Sequence, residues 1–192
     1  MAICLGLVIH PISNQENHIK IKKIITMTTF IPMIKIFTIG VYNSSELSYF
    51  NKLVTNKIDL FCDIRQRRGV RGSQYKFVNS SYLQAKLNEL GITYKYIKEL
   101  APTNEIRQKQ KDADKKNGET KKQRGFLGNT FKEEYIKNIL ESYDIERFAN
   151  ELKNSGVKNI VFFCVEEHAS ACHRSLVAEK LAKILGAEII NL

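Results

Sequence analysis

The sequence predicts an α/β fold: a single domain on a mostly parallel five-stranded sheet with helices on both faces, Rossmann-like or flavodoxin-like. Two observations predict it. From Ile34 onward, short apolar β-branched segments alternate with segments whose apolar residues recur at helical spacing. One of them, Ile160-Val161-Phe162-Phe163, is apolar on both faces, as a central parallel strand covered on two sides must be. A chain of 192 residues can bury such a core without disulfide staples.

Residues 1–32 stand apart from this pattern. Their apolar start is interrupted by Asn14, Gln15, Glu16 and Asn17, and no small-residue cleavage site follows a basic start, so they make a poor signal peptide. We expect residues 1–32 to be a dispensable N-terminal extension, with Met33 as a natural start, and residues 33–192 to form the domain.

The first strand is predicted over 34–39, where Gly40 breaks it. Asn43 and Glu46 suit a capping pair, and Leu47, Phe50, Leu53 and Val54 then recur at helical spacing. The second strand, 58–64, runs into an arginine loop with two glycines, 65–72. Ser81 and Gln84 resemble a capping box before a stripe of Tyr82, Leu83, Leu87 and Leu90, and Gly91 suits the C-terminal cap. A third strand follows over 92–97. Between 105 and 124, eight Lys/Arg stand against four Asp/Glu with no sustained apolar period. This basic excursion is expected to be exposed and mobile, with a short helix around Ile106. Helix resumes at Thr130, where Glu133 completes a cap and Tyr135, Ile136, Ile139 and Leu140 face inward. Another starts at Asp144, with Phe148 and Leu152 inward and Gly156 ending it. The strand at 157–165, an amphipathic helix at 176–185 capped by Gly186, and a last strand at 187–192 complete the chain.

The net charge of +10 favours anionic partners, although an excess of Lys, Asn and Ile codons accounts for it as well. The four cysteines, Cys4, Cys62, Cys164 and Cys172, are too few and too scattered for a disulfide framework and suit a reducing, cytoplasmic setting. No run of about eighteen apolar residues exists, so no membrane span is expected.

In a parallel sheet, ligands bind beyond the carboxyl ends of the strands. The unusual residues fall there. Cys62-Asp63-Ile64-Arg65 ends the second strand and leads to Arg67, Arg68 and Arg71. Four arginines in seven residues, beside glycines that let backbone amides approach, suit a phosphate or carboxylate; a solvated loop tied down by Asp63 is the plainer reading. At the other end, Cys164 closes a buried strand, Glu166 emerges from it, and Cys172-His173-Arg174 opens the next helix. A helix N-terminus lowers a thiol's pKa and attracts anions. Cys172 is therefore a candidate nucleophile, with His173 or Glu166 as proton carrier, and a structural thiol otherwise; Cys164 reads as a core thiol. The phosphatase spacing of Cys, five residues, Arg does not fit, because Ser170 lies six positions after Cys164. Cys62, Cys164, Cys172 and His173 offer four zinc ligands in principle, but without the short Cys-x-x-Cys pairs of structural zinc, no metal and no cofactor are expected.

Thr38-Ile-Gly40, Asp63-Ile-Arg65, Leu90-Gly-Ile-Thr-Tyr94 and Cys164-x-Glu166 with Cys172-His-Arg174 together resemble the domain-of-unknown-function family DUF488, which is YeaO-related. The resemblance covers about residues 34–192. The wider family often carries Pro and Ser after the Asp-x-Arg; here Arg67-Arg-Gly-Val-Arg-Gly72 stands instead, as in an Arg-rich subgroup. The resemblance implies a compact α/β fold and a shared site, and no settled activity.

The leading expectation is an enzyme acting on a phosphate-bearing substrate, a nucleotide or nucleic-acid component, with Arg65, Arg68, Arg71 and Arg174 toward the anion, Asp63 pairing among them, and Cys172, His173 and Glu166 at the chemistry. The alternatives are a non-catalytic nucleic-acid-binding accessory protein, gripping phosphates through the arginine loop and the basic excursion, and a small-anion sensor.

Overall fold

The apolar segments assemble into one sheet in a computed structural model that describes residues 33–118, 120 and 125–192. The extension expected over 1–32 and part of the basic excursion (119 and 121–124) lie outside the described residues. Residues 33–192 form one compact unit.

Five strands, β1 (Lys35–Ile39), β2 (Leu60–Asp63), β3 (Thr93–Tyr96), β4 (Asn159–Phe163) and β5 (Ile189–Asn191), pair in the order β3-β2-β4-β1-β5. Every pairing is parallel, so the sheet is wholly parallel. β2, β3, β4 and β5 are shorter at both ends than their apolar runs, and β1 at its start only.

Six helices cover the sheet: α1 (Glu46–Thr55), α2 (Ser80–Glu89), α3 (Asn104–Lys116), α4 (Asn129–Tyr135), α5 (Ile145–Ser155) and α6 (His173–Leu185). Strand alternation sorts their partners. Phe37, Ile39, Phe61, Val161 and Phe163 meet α1 and α2 through Tyr49, Phe50, Leu53, Leu83 and Leu87. Ile36, Leu60, Cys62, Ile160 and Phe162 meet the other four helices, among them Phe131, Phe148, Val177 and Leu181. β4 therefore sits between β2 and β1 with both faces buried. That position brings its carboxyl end beside that of β2, although about a hundred residues separate them.

Several local expectations are corrected. Ser45, not Asn43, caps α1, accepting from Ser48 N at 3.2 Å; Asn43 instead takes a left-handed turn at φ 59°. The inward face of α1 is Tyr49, Phe50 and Leu53, whereas Leu47 and Val54 are exposed. The helix stripe was shifted by the amphipathic Tyr49, whose ring is core although its hydroxyl is polar. α2 starts at Ser80 with Asn79 as its cap residue, and no side chain caps it. Asn79 Oδ1 instead accepts from Val70 N at 2.7 Å, holding the arginine loop. Gly128, with no side-chain cap from Thr130 or Glu133, begins α4, and a single π turn (Ile136–Leu140) follows it. Tyr82 and Ile136, expected inward, are exposed.

The largest difference is the basic excursion. Where it is described, residues 104–116 form a thirteen-residue helix, α3, longer than the short one expected around Ile106, capped by Thr103 and packed through Ile106, Gln110 and Asp114. Gln110 is the anchor. Its Oε1 accepts from Gly128 N at 3.0 Å and its Nε2 donates to Asp114 Oδ1 at 2.7 Å. Lys109 pairs with Glu134 of α4. A helix with a polar inward face can pack only where such partners exist, which is why an apolar period does not reveal it.

Candidate functional site

The adjoining ends of β2 and β4 open into a cleft of about 630 Å³. Its floor is Arg65, Cys164, Glu166, Cys172 and His173; one wall is the loop from Gln66 to Tyr75, and the other is the α3 face of Arg107, Gln110, Lys111 and Asp114. The two segments singled out in the sequence thus meet. The direct link is His173 Nε2 against Ile64 O at 3.1 Å.

On the β2 side the charges are mutually satisfied. Asp63 is wholly buried; it accepts from Arg65 N (3.1 Å), Nε (2.9 Å) and Nη2 (2.7 Å) and from Tyr94 OH (2.9 Å). Arg65 also lies 4.4 Å over the Phe163 ring. Burial works to lower the Arg65 pKa, but the hydrogen bond and charge of Asp63 outweigh it and hold the guanidinium protonated. Its Nη1, buried, makes no hydrogen bond.

On the β4 side, the chain leaves the strand at Cys164 and turns over the end of β1. Gly40 is required there, because a Cβ on it would lie 1.9 Å from Glu166 O. Glu166 then turns inward, and its Oε2 accepts from the thiols of Cys164 and Cys172, each at 3.2 Å. Cys172 occupies the N-cap position of α6, and its sulfur lies 3.7 Å from His173 Nδ1. The hydrogen bond with Cys172, then burial, push the Cys164 thiol well above its ordinary pKa, so Cys164 is a protonated thiol. Burial works to lower His173, but the neighbouring Cys164 sulfur, Glu166 and the Ile64 carbonyl outweigh it and raise the imidazole.

Arg174 does something the sequence does not suggest. It is 1% exposed, and its guanidinium donates to Thr38 Oγ1 (3.3 Å), Glu166 O (2.6 Å) and Glu167 O (2.8 Å). It braces the turn that carries Glu166 and does not line the cleft. Arg68 likewise leaves the cleft to stack 4.4 Å over Tyr96. Of the residues expected toward an anion, Arg65 and Arg71 line the cleft, and Asp63 lies beneath it as the partner of Arg65. Cys62 is buried on the opposite side of the sheet, in the core under α5 and α6, and burial pushes its thiol far up.

A family model described as "Domain of unknown function DUF488" matches residues 48–181, more than half of the chain. The chain belongs to the DUF488 family. No curated protein and no solved structure matches it. The DUF488 match contains Asp63, Arg65, Glu166, Cys172, His173 and Arg174, while Gly40, which the Glu166 turn contacts, precedes it.

Sequence reasoning missed one wall of this DUF488 cleft. Arg107, Gln110, Lys111 and Asp114 line it at intervals of three, one and three residues, the spacing of one helical face. A search for polar as well as apolar periodicity finds that stripe. Arg107 Nη1 donates to Gln66 Oε1 at 2.6 Å, joining the helix wall to the loop wall.

Proposed function

We propose that this DUF488 protein is an enzyme acting on a phosphate-bearing substrate, a nucleotide or nucleic-acid component, held in the cleft. The observation that carries the reading is one buried carboxylate, Glu166, shared by two buried thiols on the floor of a cleft walled by cations. A carboxylate within hydrogen-bond reach of proton donors, with an imidazole alongside, is equipped for proton transfer. Glu166 takes the proton of the attacking group, and the His173 imidazole, oriented by Ile64 O, lies beside it. Arg67, Arg71 and Lys111, exposed at the walls, bind the phosphate with Arg107. Arg65 supplies a fixed positive potential at the floor, and Arg174 acts through the Glu166 turn, not on the substrate.

The test is equilibrium binding of nucleoside phosphates and of the bare nucleosides to the full chain, followed by product analysis. A charge-assisted hydrogen bond contributes about 1.5–3 kcal/mol, so nucleosides should bind at least roughly tenfold more weakly. Arg71→Ala should weaken phosphate binding without altering nucleoside binding, and Cys172→Ala should abolish turnover. Affinity for long nucleic acid alone, falling steeply with salt and indifferent to Cys172→Ala, would support the accessory-binding reading instead.

A further inference from the structure

We propose that Cys164, Cys172 and His173 bind a divalent cation of the zinc class on the floor of the cleft. The three donor atoms, two sulfurs and one imidazole nitrogen, all lie within 4.8 Å of one another. Ligands at about 2.0–2.3 Å from a tetrahedral ion require that closeness. Two thiolates and an imidazole are also the donor set this metal class prefers over magnesium or calcium.

The surroundings fit coordination as well as the donors do. His173 has Nε2 on the Ile64 carbonyl, which fixes the ring with Nε2 donating and leaves the Nδ1 lone pair toward the sulfurs. A backbone carbonyl on the far ring nitrogen is the usual outer partner of a metal-bound histidine. Cys172 occupies the N-cap position of α6, and its side chain makes no capping hydrogen bond. Cys164 and Cys172 are 6% and 1% exposed and His173 5%, yet all three reach the cleft, which supplies an entry path. The donors stand on a strand end and a helix start, not on a mobile loop.

Three protein ligands leave the fourth tetrahedral position open, as catalytic zinc sites do. Glu166 touches both sulfurs but is outside the mutually close set. Metal binding would displace the two thiol protons to solvent, and with them the two hydrogen bonds that the Glu166 carboxylate accepts. An ion held there would lower the pKa of a water in the open position, and Glu166, beside both sulfurs, would be placed to take the proton that water loses, with no change of oxidation state. This last step rests on the proposed function and identifies its attacking group as water; metal binding itself does not rest on it.

The test uses the full chain, purified with a reductant and without chelator, and loaded with zinc alone. Metal analysis should find one ion per chain. X-ray absorption at the zinc edge should show two sulfur neighbours at about 2.3 Å and nitrogen or oxygen at about 2.0–2.1 Å. Cys164→Ser, Cys172→Ser and His173→Gln should each weaken zinc binding by more than the roughly 100-fold that an outer contact can cost. Cys4→Ser and Cys62→Ser should leave it unchanged, and Glu166→Gln should keep the two-sulfur shell. Should a ligand variant fail to fold, the wild-type shell decides by itself. A shell without sulfur, no stoichiometric ion, or a Cys164–Cys172 disulfide in its place overturns the proposal. A two-sulfur shell in a protein that binds no phosphate ligand would leave the metal site standing and remove the substrate reading; phosphate binding with no metal would do the reverse.

Discussion

The carboxyl ends of β2 and β4 lie side by side; β2 ends on an acid with an arginine two residues on, and β4 is followed by an acid and, eight residues after it, an arginine, yet the two pairs are used in opposite ways. After β2 the partners find each other. Asp63 takes three hydrogen bonds from Arg65 and one from Tyr94, inside the protein. After β4 they part. Arg174 spends its guanidinium on Thr38 and on the carbonyls of Glu166 and Glu167, while the Glu166 carboxylate accepts from two thiols. Thiols are weak donors. The Asp63 carboxylate is thus tied to a fixed cation, whereas the Glu166 carboxylate is held by weak, neutral donors. An acid and an arginine therefore pair into a brace at one strand end and stay apart at its neighbour.

The largest expected effect breaks the brace. Asp63→Ala leaves the Arg65 guanidinium buried without its counter-charge, a loss of about 3–5 kcal/mol, measurable by urea unfolding. A loss under 1 kcal/mol would mean that Arg65 finds solvent or another partner once Asp63 is gone.

A smaller loss is expected on the β4 side. Gly40→Ala forces a methyl against the Glu166 backbone, and overpacking of this kind costs about 1–3 kcal/mol. It should also lower turnover, because the displaced turn carries the carboxylate. Unchanged stability together with unchanged turnover would contradict the described packing.

Smaller again is Gln110→Ala, which removes the acceptor of Gly128 N and one donor to Asp114. The expected loss is about 1–2 kcal/mol, with faster amide exchange in α3. If exchange in α3 is as fast before the change as after it, the helix does not wall the cleft in solution.

The smallest effect is removal of residues 1–32. Residues 33–192 form a compact unit, so a chain starting at Met33 should match the full chain in Tm to within a few degrees. An insoluble or unfolded product would show that the domain needs the removed segment.

The sheet was legible because its central strand is apolar on both faces and glycines punctuate the chain, and parallel crossovers then place the strand ends together. That much brought together Arg65, Glu166, Cys172 and His173 of the cleft floor, but not Cys164, which reads from sequence as a core thiol. What stayed illegible is polar. Gln110 and Asp114 face inward on α3 without any apolar signal. Arg174 and Arg68 are chemically identical to Arg71, but a backbone turn and an aromatic ring claim them first. An arginine count predicts an anion site only after such internal acceptors have been subtracted, and they become visible only in three dimensions.

The central claim is that Glu166, unlike Asp63, works on protons. It is tested most directly by Glu166→Gln, an isosteric change, assayed for both substrate affinity and turnover in the same preparation. The account predicts folding and phosphate-ligand affinity close to wild type, with turnover reduced by about 10²–10⁴-fold, the range for a general acid or base. Turnover at the wild-type rate would contradict it, as would a loss of affinity that accounts for the whole defect.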